Sequence, residues 1–288
     1  MRTLAFLTAI LAVATTTLGQ GWEGEQGDSD LLVPKRGDLH ATVGVSLDSM
    51  YVWRGYRVFE NTAALHFLAD LNLFDSGFGV SAAGHRSLSD EYDLEDRERW
   101  DYTVYYQNGL FSGEPYATNF RLGYVYYNYS KLNKGESLDR MEAHGILSWP
   151  NLLPIKGLCP SYVFAWIFPA RDETEDNFRV NEAEGYLHIL MLDYGFTVPG
   201  IVSWVPEHLI KIHSEVVYNE GVNLGPFNRQ YRNPEYGISH AVVGLSTDMD
   251  LGHGLMLTPS AYYQFTFEDT INDNDDEMWA SLSLTYSF

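Results

Sequence analysis

The stretch that most constrains this chain is its last eleven residues, Met278-Trp279-Ala280-Ser281-Leu282-Ser283-Leu284-Thr285-Tyr286-Ser287-Phe288. Alternate positions separate an apolar set (Met278, Ala280, Leu282, Leu284, Tyr286, Phe288) from a largely hydroxylated one (Trp279, Ser281, Ser283, Thr285, Ser287). A β-strand sends alternate side chains to opposite faces, so the segment reads as a strand with one greasy and one polar face, ending on an aromatic ring. Two environments suit it: the edge of a soluble β-sandwich, or the lipid-facing wall of a membrane barrel.

The other end of the chain favours the barrel. Arg2 supplies a short positive region, residues 4–13 are an apolar run, and small residues precede Gln20. This is the pattern of a cleavable secretory leader, and the run is too short for a transmembrane helix of about 20 residues. The expected organisation is a signal peptide over 1–19, a periplasmic lead-in over 20–38 and an outer-membrane β-barrel over 39–288. No Cys follows the leader to carry a lipid anchor, and the single Cys159 excludes an intramolecular disulfide framework and a Cys-rich metal site. A net charge of −21 argues against nucleic acid and anionic surfaces as partners. Mean hydropathy is only −0.21 although 15% of residues are aromatic. That suits a wall in which only alternate residues meet lipid.

Period-two alternation recurs along the chain. It predicts an all-β, transmembrane antiparallel barrel of about twelve strands with both termini periplasmic, an even number as single-chain bacterial barrels require. Residues 39–47 are expected to pair with 280–288. The connections alternate between Gly/Pro turns and longer links, among them acidic ones. In most strands the apolar phase is read as outward. The eighth, at residues 181–197, is instead read with Glu182, Glu184, Tyr186, His188 and Leu190 inward. The tenth, near 236–247, is ambiguous, with Ala241, Val243 and Leu245 favoured outward.

The aromatic-ended terminal strand resembles that of bacterial outer-membrane barrels. The resemblance implies that Tyr286 and Phe288 form the signal read by the barrel-assembly machinery. Residues 45–55 (VSLDSMYVWRG), an apolar strand, and then Phe74-Asp75-Ser76-Gly77-Phe78-Gly79-Val80 resemble the start of the TorF-family porins. The match covers roughly residues 39–85, and the chain departs from it at Val58-Phe59-Glu60-Asn61 and in its long acidic loops. Membership would imply a pore with no defined substrate.

Arg54, beside Trp53 and Gly55, has two readings: a selectivity charge in the lumen, or a structural Arg stacked on Tyr51 or Trp53 or paired with a loop carboxylate. The inward phase also carries Asp70, Arg121, Arg140, Glu142, His144, Glu184, His188, Lys211, His213 and Glu215, with His66, His85 and His240. These line a solute path, or they are polar groups filling a barrel interior and pairing with one another. No ligand spacing supports a metal, and no cofactor is expected. His188 and Glu215 are candidates to approach each other across neighbouring strands. The acidic loops read as a cation-attracting mouth or as a solvated rim.

No Gly-x-Ser-x-Gly, His-Glu-x-x-His or phosphate loop is present, so an enzyme is not expected. The leading expectation is an outer-membrane channel for passive diffusion of small polar solutes or ions, with a modest cation preference. A structural or adhesive barrel with a filled lumen and a barrel-wall hydrolase are the alternatives. The expected partners are outer-membrane lipid and lipopolysaccharide, the assembly machinery and small solutes.

Overall fold

The computed structural model describes residues 39–74, 76–89, 98–130, 139–170, 184–200, 207–222, 236–268, 271 and 275–288. The expected leader and lead-in, 1–19 and 20–38, lie outside them. The described elements are fourteen strands: β1 (His40–Asp48), β2 (Val52–Trp53), β3 (Tyr56–Arg57), β4 (Ala64–Asn72), β5 (Phe78–Ser87), β6 (Glu98–Leu110), β7 (Thr118–Asn128), β8 (Arg140–Ser148), β9 (Leu158–Pro169), β10 (Gly185–Pro199), β11 (Glu207–Glu220), β12 (Gly237–Gly252), β13 (Leu255–Thr266) and β14 (Glu277–Ser287). Twelve of them close into one antiparallel barrel, and β2 and β3 form a separate two-stranded ribbon.

Closure joins the two ends of the barrel. β1 pairs with β14 from Thr42↔Ser287 to Asp48↔Ser281, and with β4 on its other side. Both ends of the barrel therefore lie at one rim, called here the terminal rim. Short turns connect strands there. Ser76 shows how they are made: its hydroxyl donates to the Leu73 carbonyl and accepts the Phe78 N–H, while Gly77 takes φ +83°. The opposite rim carries the longer links.

Alternation decides what faces where. Val45, Phe67, Val104, Leu122, Ile212, Leu245 and Leu282 point outward and are exposed, while Ser46, His66, Thr103, His213 and Ser281 point inward and are buried. A continuous apolar belt of this kind is stable only in an apolar surrounding. The inward polar groups avoid that surrounding, which would leave them unpaired at a cost of several kcal/mol each.

β10 corrects the expected phasing. Its inward residues are Leu187, Ile189 and Met191, all buried, while Tyr186 and Leu190 are exposed. The strand starts at Gly185, so Glu184 precedes it and is exposed. His188 follows the outward phase with Tyr186 and Leu190. The expectation failed because it assumed a polar lumen everywhere. Here the wall is apolar on both faces, since the inward face packs against other protein. Glu182 lies outside the described residues. β12 has the favoured phase and runs on to Gly252, past the expected end at 247. A register shift at Val217/Tyr218 accounts for its ambiguous pattern.

A folded segment inside the barrel as the candidate functional site

Residues 49–63 leave β1 at the rim opposite the termini and turn into the barrel. The local cause is a hairpin. Val52–Trp53 and Tyr56–Arg57 pair across Arg54 and Gly55, which take φ +53° and +89°. Positive φ at both central positions is the requirement of a two-residue type I′ turn, and it costs least when the second residue is Gly. The Val58 N–H donates to the Tyr51 carbonyl and closes the base. The hairpin signal was in the sequence, as apolar alternation flanking an X-Gly pair, but the stretch reads at first as the outer end of β1.

The hairpin carries apolar bulk into the lumen. Tyr51, Val52, Trp53, Tyr56, Val58 and Phe59 are at most 3% exposed. They join Val163, Ala165 and Ile167 of β9, Leu187, Ile189 and Met191 of β10, and Val217 of β11, most of them in a single buried cluster. Each Val, Leu, Ile, Met or Phe among them contributes about 1.5–3 kcal/mol by burial. Met50 and Val52 pack with Val242, Tyr262 and Trp279 on the far wall.

Polar ties fix its position. Arg54 Nη2 donates to Glu142 Oε1 at 2.6 Å, with both side chains almost fully buried. Glu142 also accepts Tyr127 Oη at 2.9 Å and lies 2.8 Å from His144 Nδ1. Gln264 Nε2 donates to the Gly55 carbonyl at 2.9 Å, and Arg57 Nε reaches Glu277 at 3.2 Å. A Cβ on Gly55 would meet the His240 ring at 2.6 Å, so only Gly fits there. Arg54 is therefore paired with a wall carboxylate rather than a loop carboxylate. The aromatic stacking expected of Arg54 belongs to Arg99. The Arg99 guanidinium lies 4.2 Å from the Trp53 ring centre and 4.8 Å from that of Tyr127, and makes two hydrogen bonds to Asp101.

Towards the terminal rim the inward wall becomes polar. Tyr105 Oη donates to Asp70 at 3.0 Å, and the Arg121 guanidinium carbon lies 3.7 Å from the Tyr105 ring centre. On the other side Lys211 pairs with Asp248 at 2.8 Å, and His213 lies between Asp193 at 2.6 Å and Glu215 at 3.6 Å. Arg140 also faces inward and is buried. The structure thus places Asp70, Arg121, Arg140, Glu142, His144, Lys211, His213 and Glu215 inside the barrel. His188 and Glu184 are not among them, and with His188 outward and Glu215 inward that expected pair does not form. His188 Nδ1 is instead 2.7 Å from Tyr162 Oη, and its Nε2 is 3.8 Å from Glu220. Among the described residues no Ser, Thr or Cys side chain is hydrogen-bonded to it. The described residues also contain no group of three or more His, Cys, Asp or Glu able to hold a metal ion. At the rim opposite the termini Asp276 is held below the usual carboxylate range, first by the Thr266 N–H and then by Tyr263 Oη.

With this geometry in view, solved structures supply a fold match. The fold is similar to that of the KdgM porin. That match covers 86% of this chain and 99% of the porin at 10% identity, with a TM-score of 0.50. The NanC porin (11% identity, 87% and 99% covered, TM-score 0.46) and an outer membrane channel from Pseudomonas putida F1 (11%, 92% and 99%, 0.47) are also similar. At such identities the likeness shows the fold, a closed twelve-stranded antiparallel barrel of the outer-membrane porin type. No protein-family model and no curated protein matches the chain, so the resemblance to TorF-family porins finds no family-level match.

Proposed function

We propose that the protein is an outer-membrane channel for passive diffusion of small polar solutes or ions, narrowed by residues 49–63. The observation that carries this reading is a closed barrel, apolar outside, whose inward groups towards the terminal rim are polar (Asp70, Arg121, Lys211, Asp248), with one folded segment held across the other half. The terminal rim faces the periplasm and the longer links face outward. A second reading is favoured by the apolar cluster inside the lumen: a barrel filled throughout, with a structural role. Current through the purified protein in a planar bilayer separates the two. A small, steady conductance supports the channel, and none at any voltage defeats it.

The proposed selectivity is a modest cation preference. Among the buried or inward charged groups of the described barrel stand Asp48, Asp70, Asp101, Asp139, Glu142, Asp193, Glu215, Asp248, Glu268 and Glu277 against Arg54, Arg57, Arg99, Arg121, Arg140 and Lys211. The excess is small, so a permeability ratio of about two to three for K⁺ over Cl⁻ is expected. Asp193→Asn with Asp248→Asn should bring it near one in a salt-gradient reversal measurement. Anion selectivity of the native protein would refute the assignment. The acidic rim adds a contribution that fades at about 1 M salt, where the Debye length is roughly 3 Å.

Assembly is proposed to depend on the terminal strand. Tyr286 and Phe288 stack at 5.5 Å on the outward, exposed phase, where they do little to hold the barrel together. Phe288→Asp is expected to reduce the outer-membrane yield severalfold while leaving the unfolding free energy of assembled barrels within about 1 kcal/mol of native. Unchanged yield on blots of membrane fractions would count against the signal.

A further inference from the structure

A buried pair of histidines lies beside the segment. His66 of β4 and His85 of β5 face each other in register, with their Nδ1 atoms 2.6 Å apart. The outer nitrogen of each ring looks at a carboxylate: His66 Nε2 is 3.4 Å from Asp48 Oδ2, and His85 Nε2 is 3.4 Å from Asp101 Oδ2. Both imidazole side chains are fully buried. Tyr51, at the foot of the hairpin, covers the pair, stacked on His85 at 5.1 Å and edge-on to His66 at 4.8 Å.

Proton counting defines what this pair can be. Neither Nε2 has a hydrogen-bond partner, so the carboxylate facing it at 3.4 Å favours a proton on each. With both Nε2 atoms protonated, the Nδ1 contact is a hydrogen bond only if a single proton lies between the rings. The pair then holds three protons and one positive charge. That charge offsets Asp48 of β1, which also accepts the Ser281 hydroxyl at 2.6 Å. Asp101 of β6 is already offset by Arg99, bound to it in two hydrogen bonds. The other titratable side chains around the pair are the phenols of Tyr51, Tyr127 and Tyr129. A fourth proton would set N–H against N–H across 2.6 Å and add an uncompensated buried charge, so the rings must part.

We infer that His66 and His85 form a proton-binding site that controls the constriction: one shared proton holds Tyr51 and residues 49–63 in place, and a second releases them. Acid therefore widens the passage. The inference rests on the channel reading for its consequence, but not for the site itself.

The test uses the full-length protein, with folding checked by heat-modifiable gel migration. Single-channel conductance is recorded at about pH 7.5 and about pH 3 for the native protein, His85→Gln, the His66→Gln/His85→Gln pair, and a variant with residues 51–61 replaced by a Gly/Ser linker. Native conductance should rise at least about twofold in acid. The Gln variants, which hydrogen-bond without taking a proton, should stay level or fall as mouth carboxylates neutralise. An equal acid rise in His85→Gln overturns the site. If even the linker variant passes no current, the channel reading fails on its own, and amide hydrogen exchange of residues 49–63 decides the site. After correction for intrinsic rates, the native protein should lose protection in acid and His85→Gln should not. Matching profiles in the two overturn the inference.

Discussion

Glu142→Ala is expected to cost about 3–5 kcal/mol and to loosen residues 49–63, because it leaves the Arg54 guanidinium buried without a counter-ion. Glu142 is the acceptor on which three groups converge: Arg54 at 2.6 Å, His144 at 2.8 Å and Tyr127 at 2.9 Å. Arg54 sits on the turn of the hairpin, so its charge reaches water if the hairpin swings out. The loss is thus capped by the free energy of releasing the segment, and part of the effect should appear as amide exchange in 49–63 before the barrel unfolds. Glu142→Gln keeps a carbonyl acceptor and should lose less. Arg54→Ala combined with Glu142→Ala should cost less than the sum of the two single changes, since no lone charge remains. Urea unfolding in lipid vesicles measures all four variants. Additive losses would show that the pair does not act as a unit.

How far the sequence showed this structure depends on which face a residue's information lies on. The closed pairing of 42–48 with 281–287 was legible, because lipid on one side forces strict alternation at both ends of the barrel. The inward set Asp70, Arg121, Glu142, Lys211, His213 and Glu215 was legible for the same reason. β10 was not. Leu187, Ile189 and Met191 are apolar because Trp53 and its neighbours cover them, and that partner is more than a hundred residues away in sequence. Period-two reasoning knows only the local strand, so it placed the polar residues inward and put Glu184 and His188 on the wrong side. The partner of Arg54 was out of range too. Its neighbours Tyr51 and Trp53 are visible in sequence, whereas Glu142 becomes its partner only through barrel closure. The His66–His85 contact needed register as well as phase, and alternation alone supplies phase.

Replacing residues 51–61 with a Gly/Ser linker of equal length should raise single-channel conductance about severalfold to tenfold, the largest functional change any single alteration here would bring. Eight-stranded barrels are filled by their own side chains, and twelve strands enclose a wider space. In this protein that space is taken up by Tyr51, Trp53, Tyr56 and Phe59, none more than 3% exposed. A Gly/Ser chain has neither the volume to refill it nor the apolar surface to stay folded inside. The same change bares Val163, Ile167, Leu187 and Ile189 to water, so the variant should also unfold at lower urea than the native barrel. Selectivity should shift towards cations, because Arg54 and Arg57 leave the lumen while Glu142 and Glu277 remain. If conductance and reversal potential both match those of the native protein, the passage does not run beside this segment, and residues 49–63 brace the barrel without governing flow.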